Sequence, residues 1–238
     1  MREIRFLCLA VSRRDGGNCI AGIDLDTGKW VRPINSGRTE AFSDGELCVL
    51  DNVTGKRRFL ALLDVLQLRL EEFAGINAQP ENWKIVPASY ENPWRVMERH
   101  NEISHAKQLN SYVDGADRLL HSYEDSIRES DVKLHSLSHS LSLVCPNELC
   151  WKITDGRYPG KLQVRAEFRF EQIPYSLVVT DPDWEAKVGK CGVGRYPHSK
   201  ISGLYSNNVF LTISLAAIPL HGYHYKLVAG VVLLPATK

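Results

Sequence analysis

Three short apolar runs separated by tight turns open the chain, and they restrict its first part to a small antiparallel β-structure. The runs cover residues 6–11 and 19–25 and a third segment that carries Trp30 and Arg32, with glycine-containing turns between them. Because Trp30 and Arg32 are two residues apart in a predicted strand, their side chains point to the same face of the sheet. An aromatic ring beside a guanidinium suits stacking and phosphate contact, and it equally suits a half-buried barrel surface.

The pattern of short apolar runs and turns occurs in two separate parts of the sequence. In the first part, predicted strands cover residues 4–11, 18–25, 29–34, 47–53 and 59–70. In the second part, they cover residues 140–145, 149–154, 161–172, 175–180, 208–218 and 223–234. Each set has strand lengths that fit a small β-barrel, and we expect two separate barrels.

The segment between these sets predicts helices. Pro93 suits the first turn of a helix, and Trp94, Met97 and Asn101 share one helical face within the predicted helical stretch 93–135. A second candidate helix covers residues 117–127. The predicted fold is therefore mainly β with a helical connector: a first β-barrel at 1–75, the connector at 76–138 and a second β-barrel at 139–238.

Charge is balanced over the 238 residues but unevenly distributed along them. The net charge of +1 argues against a general polyanion binder, although it permits a local basic groove. Residues 71–149 hold 7 Lys and Arg against 13 Asp and Glu, whereas residues 150–200 hold 9 against 6. No run is long enough for a signal peptide or a membrane span, so we expect a cytoplasmic protein without membrane contact, whose six cysteines are thiols.

Several motifs in both halves resemble the dual OB-containing domain family. They are residues 8–22, Trp30-Val31-Arg32-Pro33, Gln79-Pro80-Glu81-Asn82-Trp83, and residues 175–182, 211–215 and 225–229. The resemblance spans nearly the whole chain and implies two OB-like small β-barrels. It also implies a prokaryotic protein of conflict or anti-phage systems that binds or senses nucleic acid. It supplies no catalytic residues.

OB barrels bind single strands across one sheet face with aromatic and basic side chains, which defines the candidate binding residues. In the first barrel the candidates are Arg13, Arg14, Trp30, Arg32 and Arg38. In the second they are Arg165, Arg169, Lys190, Arg195, Tyr196 and Lys200. The last four belong to a glycine-rich basic stretch, residues 189–200, which fits either a flexible binding loop between strands or a surface turn. Phe168 alternates with charged neighbours and is expected in the core.

Metal and catalytic motifs are weak. Structural zinc sites usually contain a tight Cys-x-x-Cys knuckle. Neither the pair Cys145 and Cys150 nor the pair His221 and His224 forms one, so we predict no metal and no cofactor. The leading hypothesis is a non-enzymatic protein that binds or senses RNA or single-stranded DNA and serves an effector protein encoded elsewhere, in prokaryotic defence. One alternative is a protein–protein adaptor that docks an effector. Another is a small metal-dependent nuclease or nucleotide-processing enzyme.

Overall fold

The computed structural model describes residues 1–14, 17–37, 40–52, 54–100, 105–202 and 208–234. The first module is built from the strands β1 (Arg2–Arg14), β2 (Gly17–Asp24), β3 (Lys29–Asn35), β4 (Cys48–Asp51), β5 (Arg57–Phe59), β6 (Asp64–Phe73), β7 (Asn82–Ile85) and β8 (Trp94–Arg99). The second contains β9 (Ser126–Arg128), β10 (Leu141–Val144), β11 (Asn147–Asp155), β12 (Leu162–Phe170), β13 (Ile173–Val179), β14 (Gly194–Pro197), β15 (Asn208–Leu215) and β16 (Tyr223–Leu234).

Helices are short. The α-helices are α1 (Ala106–Asn110), α2 (Glu129–Leu134), α3 (Pro182–Gly189) and α4 (His198–Ser202), and 3-10 turns cover Asp44–Leu47 and Leu119–His121. The prediction of a mainly β chain is therefore confirmed.

The first module contains a closed barrel of five strands in the order β1-β2-β3-β7-β6, with β6 pairing back to β1. The contact between β3 and β7 is parallel, whereas the other pairs are antiparallel. This is the connectivity of an OB barrel. Strands β8, β4 and β5 extend the sheet outward from β6. The barrel interior is filled by side chains that alternate along the strands, among them Ile4, Phe6, Cys8, Ile20, Val31, Leu66, Leu68 and Ile85.

The second module repeats this connectivity in its strand order β11-β12-β13-β16-β15, with a parallel contact between β13 and β16. Helix α3 lies between β13 and β15 in the chain, and its Trp184 packs on Trp151 of β11 at 4.8 Å between ring centroids. Strand β10 pairs with β15 and β14 pairs with β11. Within the described residues, β15 and β11 do not pair with each other. Each of these two end strands of the five-strand order pairs instead with an added strand, β10 or β14.

The predicted helical connector is confirmed at the short helices α1 and α2, but its predicted helices at Trp94–Arg99 and at 117–127 are wrong. Trp94–Arg99 is the strand β8, because it pairs with β4 and β6, and such tertiary pairing outweighs local helix propensity. The predicted helix 117–127 is broken by Leu120 and His121, which have φ of 43° and 67°. Asn101 lies outside the described residues. The boundaries at 75 and 138 stay a prediction, although β7 and β8 pair within the first sheet.

The predicted strand 59–70 is in fact two elements. β5 ends at Phe59, and β6 begins at Asp64 after a turn in which Leu63 has a φ of 71°. The Asp64 carboxylate holds this turn, since it accepts hydrogen bonds from the Ala61 amide and from Arg58. The turn could not be recognised in the sequence, because Leu60, Leu62 and Leu63 continue the apolar pattern through it.

The two modules are packed together rather than separate, which the sequence did not indicate. Outward-facing Leu7 and Leu9 of β1 share one buried apolar cluster with Phe210 and Val232 of the second module. The backbones meet at Gly230, where a Cβ atom would lie 2.2 Å from the Leu9 carbonyl oxygen. The hydroxyl of Thr212 donates to the same carbonyl at 2.6 Å. These contacts cover the outer face of β1.

Candidate nucleic-acid interface

Trp30 and Arg32 point to the same side of β3, as predicted, but that side faces the second module. Trp30 is half-buried against the apolar clusters that join the modules. Arg32 is only 6% exposed, and it donates to Ser214 Oγ at 3.2 Å and to Ser140 Oγ at 2.9 Å. Ser140 in turn donates to Glu81 at 2.8 Å. Arg32 is therefore part of a buried hydrogen-bond network between the modules, whereas the sequence analysis assigned it a contact with phosphate.

The other candidates of the first module lie near the turn that follows β1. Arg13 is exposed, and its backbone N–H donates to the Thr180 carbonyl of the second module at 2.9 Å. Arg14 ends β1 and pairs through its backbone with Gly17. Arg38 lies outside the described residues. The structure places Arg13 in a groove shared with Arg157 and Lys161 of the second module.

The outer face of β12 carries the charged alternation that the sequence indicated. Gln163, Arg165, Glu167 and Arg169 alternate with the buried Val164, Ala166, Phe168 and Phe170, and the prediction that Phe168 is a core residue is confirmed. Lys152 of β11 lies opposite Arg165 on one side and Arg195 of β14 on the other. Residues directly opposite in neighbouring strands share a face, so these three cations form a row across three strands.

Each of the three arginines on this face has a carboxylate partner. Arg195 pairs with Glu167 at 2.6 Å, Arg169 with Glu148 at 3.1 Å and Arg165 with Asp125 at 3.8 Å. Exposed and partly exposed pairs of this kind contribute little to the stability of a fold, so a phosphate can replace the carboxylate at small cost. For Lys152, which is exposed, the described part of the chain provides no ion-pair partner.

The glycine-rich basic stretch is more ordered than a loop between strands. Lys190 follows the last residue of α3 and is exposed, Arg195 and Tyr196 belong to β14, and Lys200 lies in α4. The Tyr196 hydroxyl donates to the Cys191 carbonyl at 2.7 Å, and the ring packs against the core. Tyr196 is therefore a supporting residue of the edge strand rather than an open stacking surface.

Sequence reasoning missed the β11–β12 turn, residues 156–161. Arg157, Tyr158 and Lys161 are all exposed there, and Tyr158 is 67% exposed with the Arg157 guanidinium 6.0 Å from its ring centroid. Gly160 permits the turn, since its φ is 73°. Arg157, Lys161 and Arg13 border one groove of about 320 Å³. A basic and aromatic Gly-Arg-Tyr-Pro-Gly-Lys sequence between two strands was the signal that could have identified it.

A buried lysine supports the other end of this face. Lys226 of β16 is 2% exposed, and its ammonium donates to the carbonyls of Ser122 and Glu124, each at 2.6 Å. It lies 5.1 Å from the centroid of the Tyr175 ring. Burial lowers its pKa to about 7, although Asp125 and Glu124 oppose that shift. Lys226 thus fixes the acidic segment that contains Asp125 beside the arginines.

The lowered pKa of Lys226 predicts that the stability of the protein depends on pH. The unfolded chain keeps the proton up to about the ordinary pKa of 10.5, whereas the folded protein releases it near pH 7. The unfolded state therefore binds more protons between these values, and the free energy of unfolding rises with pH across that window. Urea unfolding of the protein and of Lys226→Met from pH 6 to pH 10 should show this rise in the former and its loss in the latter. Parallel pH curves would contradict it.

Three further findings concern possible metal ligands, the cysteines and the helices. Within the described residues, no group of three or more His, Cys, Asp or Glu side chains is placed to hold a metal ion. The six cysteines are free thiols, as expected, and Cys8 is buried in the barrel core. None of the helices in the described part of the chain has the length and apolar character needed to cross a membrane.

The five-strand connectivity, found twice, defines an OB-fold protein, a class in which nucleic-acid binding is general. The sequence matches the dual OB-containing domain family over residues 4–231. The chain therefore belongs to the dual OB-containing domain family, as the sequence resemblance indicated. Searches of curated proteins and of solved structures found no match.

Proposed function

We propose that this protein binds single-stranded nucleic acid across the outer face of β11, β12 and β13, together with the turn 156–161. We name this surface the open face. The observation that carries the proposal is the cationic row of Lys152, Arg165 and Arg195 beside the exposed Tyr158. OB barrels bind their ligands on the face of their second and third strands and on the adjoining loops.

The first module lacks a free surface of this kind among its described residues. The outer sides of β2 and β3 carry Ala21, Ile23, Trp30 and Arg32, which pack towards the second module. The equivalent strands of the second module are β12 and β13, and their outer side carries the exposed Arg169 and the half-buried Arg165 and Glu167. We therefore assign binding to the second module and module packing to the first.

The spacing of the open face suits an extended strand of phosphates. Alternate side chains along a β-strand are about 6.8 Å apart, so Arg165 and Arg169 of β12 lie about 13.6 Å apart, with Glu167 between them. An exposed tyrosine at the end of this track gives a base a ring to stack on, at about 1–3 kcal/mol per base. RNA and DNA are both tested below.

The wider role follows from this binding in our proposal. A non-enzymatic protein that senses nucleic acid needs a second protein to act on the signal, which makes an effector protein encoded elsewhere the proposed partner. Prokaryotic defence is the proposed setting, and it depends on the resemblance of the motifs quoted above rather than on the geometry of the open face.

The test is a salt titration of binding to single-stranded RNA and DNA, with Lys152, Arg157 and Lys161 together replaced by alanine. Each lost phosphate contact on a single strand reduces the slope of log affinity against log salt by about 0.7. The triple variant should therefore bind more weakly, with a slope about 2 units shallower if all three contact phosphates. All three residues are exposed, so the fold should be unchanged.

The control is a second triple variant, in which the exposed Lys29, Lys56 and Lys107 are replaced by alanine. It removes the same charge from outside the open face and should keep most of the salt slope. Equal loss in both triple variants would mean that binding follows total charge. Absence of binding to either strand type at low salt would reject the proposal and favour the adaptor function.

A further inference from the structure

A cleft between the two modules lies apart from the residues tested above. Its volume is about 370 Å³, and it is bordered by β1 and β3 of the first module and by β16 and the β15–β16 loop of the second. Junctions between domains are a preferred place for small-ligand sites, and this volume is at the lower end of their range. The cleft has room for one small molecule rather than for an oligomer.

The walls of the cleft are mainly apolar. Pro33 and Ile34 contribute from the first module, and Leu215, Ala217 and Leu227 contribute from the second. Ile218 stands at the rim, where it is 68% exposed. Apolar walls of this kind suit a ligand with an apolar body.

The polar groups that border the cleft include two guanidinium groups. Arg32 and Arg13 both border it together with the carboxylate of Glu40, and Arg32 is also linked through Ser140 to the buried Glu81. Arg32 is held in place by the hydroxyls of Ser140 and Ser214, so its guanidinium is pre-oriented at the buried end. Guanidinium groups bind phosphate and carboxylate oxygens more strongly than neutral donors do.

We propose that this cleft binds a small molecule with a flat apolar body and one phosphate group, of the size of a nucleoside monophosphate. The body would lie against the apolar walls and the phosphate near the arginines. The amide of Gln79, whose Nε2 donates to the Leu215 carbonyl at 3.0 Å, fixes the wall beside it. A ligand in this place touches both modules, so its binding would stabilise their packing.

Isothermal titration calorimetry and thermal unfolding with the 5′-monophosphates of adenosine, guanosine, cytidine and uridine test this site. At least one of them should bind and raise the Tm, because a ligand that binds the folded state alone stabilises it. The parent nucleoside and inorganic phosphate, each tested alone, should bind at least about tenfold more weakly, because each lacks half of the contacts. Failure of all four at millimolar concentration would overturn the proposal, as would a nucleoside that binds as tightly as its monophosphate.

Variants of one loop locate the site. Ala217→Trp fills the cleft and should abolish binding, whereas Ile218→Glu adds a negative charge at the rim and should weaken binding about tenfold. Ile218 is exposed, so its substitution should not affect folding. The matched control is Leu220→Glu, which adds the same charge to the same loop at a 58% exposed position that does not border the cleft. Equal weakening by Leu220→Glu and Ile218→Glu would place the ligand elsewhere and overturn the assignment.

Discussion

Replacing Arg32 with alanine is expected to lower the free energy of unfolding by about 3–5 kcal/mol, because removing one member of a buried charged network leaves the others without compensation. Arg32 donates hydrogen bonds to the hydroxyls of Ser214 and Ser140 on the second module, and Ser140 donates one to the buried Glu81. Chemical denaturation measures the loss. The modules should separate more readily in the variant, since this hydrogen-bond network links them.

Lys29→Ala is the matched control for Arg32, since it removes a cation from the same strand at an exposed position. Its effect should stay within about 0.5 kcal/mol. A variant Arg32→Ala as stable as Lys29→Ala, but deficient in oligonucleotide binding, would show that Arg32 contacts nucleic acid as the sequence first suggested.

Replacing Gly230 with alanine is expected to destabilise the protein by about 3 kcal/mol, at the upper end of the usual cost of overpacking. The added Cβ would lie 2.2 Å from the backbone oxygen of Leu9, and a backbone group cannot rotate away as a side chain can. Strands β1 and β16 must therefore move apart along the contact between the modules. Gly45→Ala is the control, because a Cβ there has no atom within 4 Å. Equal Tm values for the two variants would contradict the close packing of β1 on β16.

Much of the β-structure was predictable because burial on one side of a sheet imposes a period of two. The alternation of Val164, Ala166 and Phe168 with charged residues identified both the strand β12 and its exposed face. The prediction of a helix that contains Trp94 and Met97 was wrong, because a short strand with few buried residues shows no clear period in its sequence. Its identity depends on pairing with β4 and β6, which are distant in sequence.

The candidate site was predicted in part for a related reason. Alternation along β12 placed Arg165 and Arg169 on an outer face, which the structure confirms. The same geometry placed Trp30 and Arg32 on one face, but strand periodicity cannot show that a second module covers it. The carboxylates beside the arginines were also hidden, since Glu148 and Asp125 are distant in sequence from their partners. The turn 156–161 could have been identified from its composition.

Hydrogen–deuterium exchange, measured by mass spectrometry with and without a single-stranded oligonucleotide, tests the central claim most directly. The claim is that the second module binds nucleic acid on its open face, while the corresponding face of the first module holds the modules together. We expect the oligonucleotide to slow exchange in peptides that cover residues 150–169, and to leave those of β2 and β3 unchanged. Protection confined to β2 and β3, with none at residues 150–169, would contradict the account.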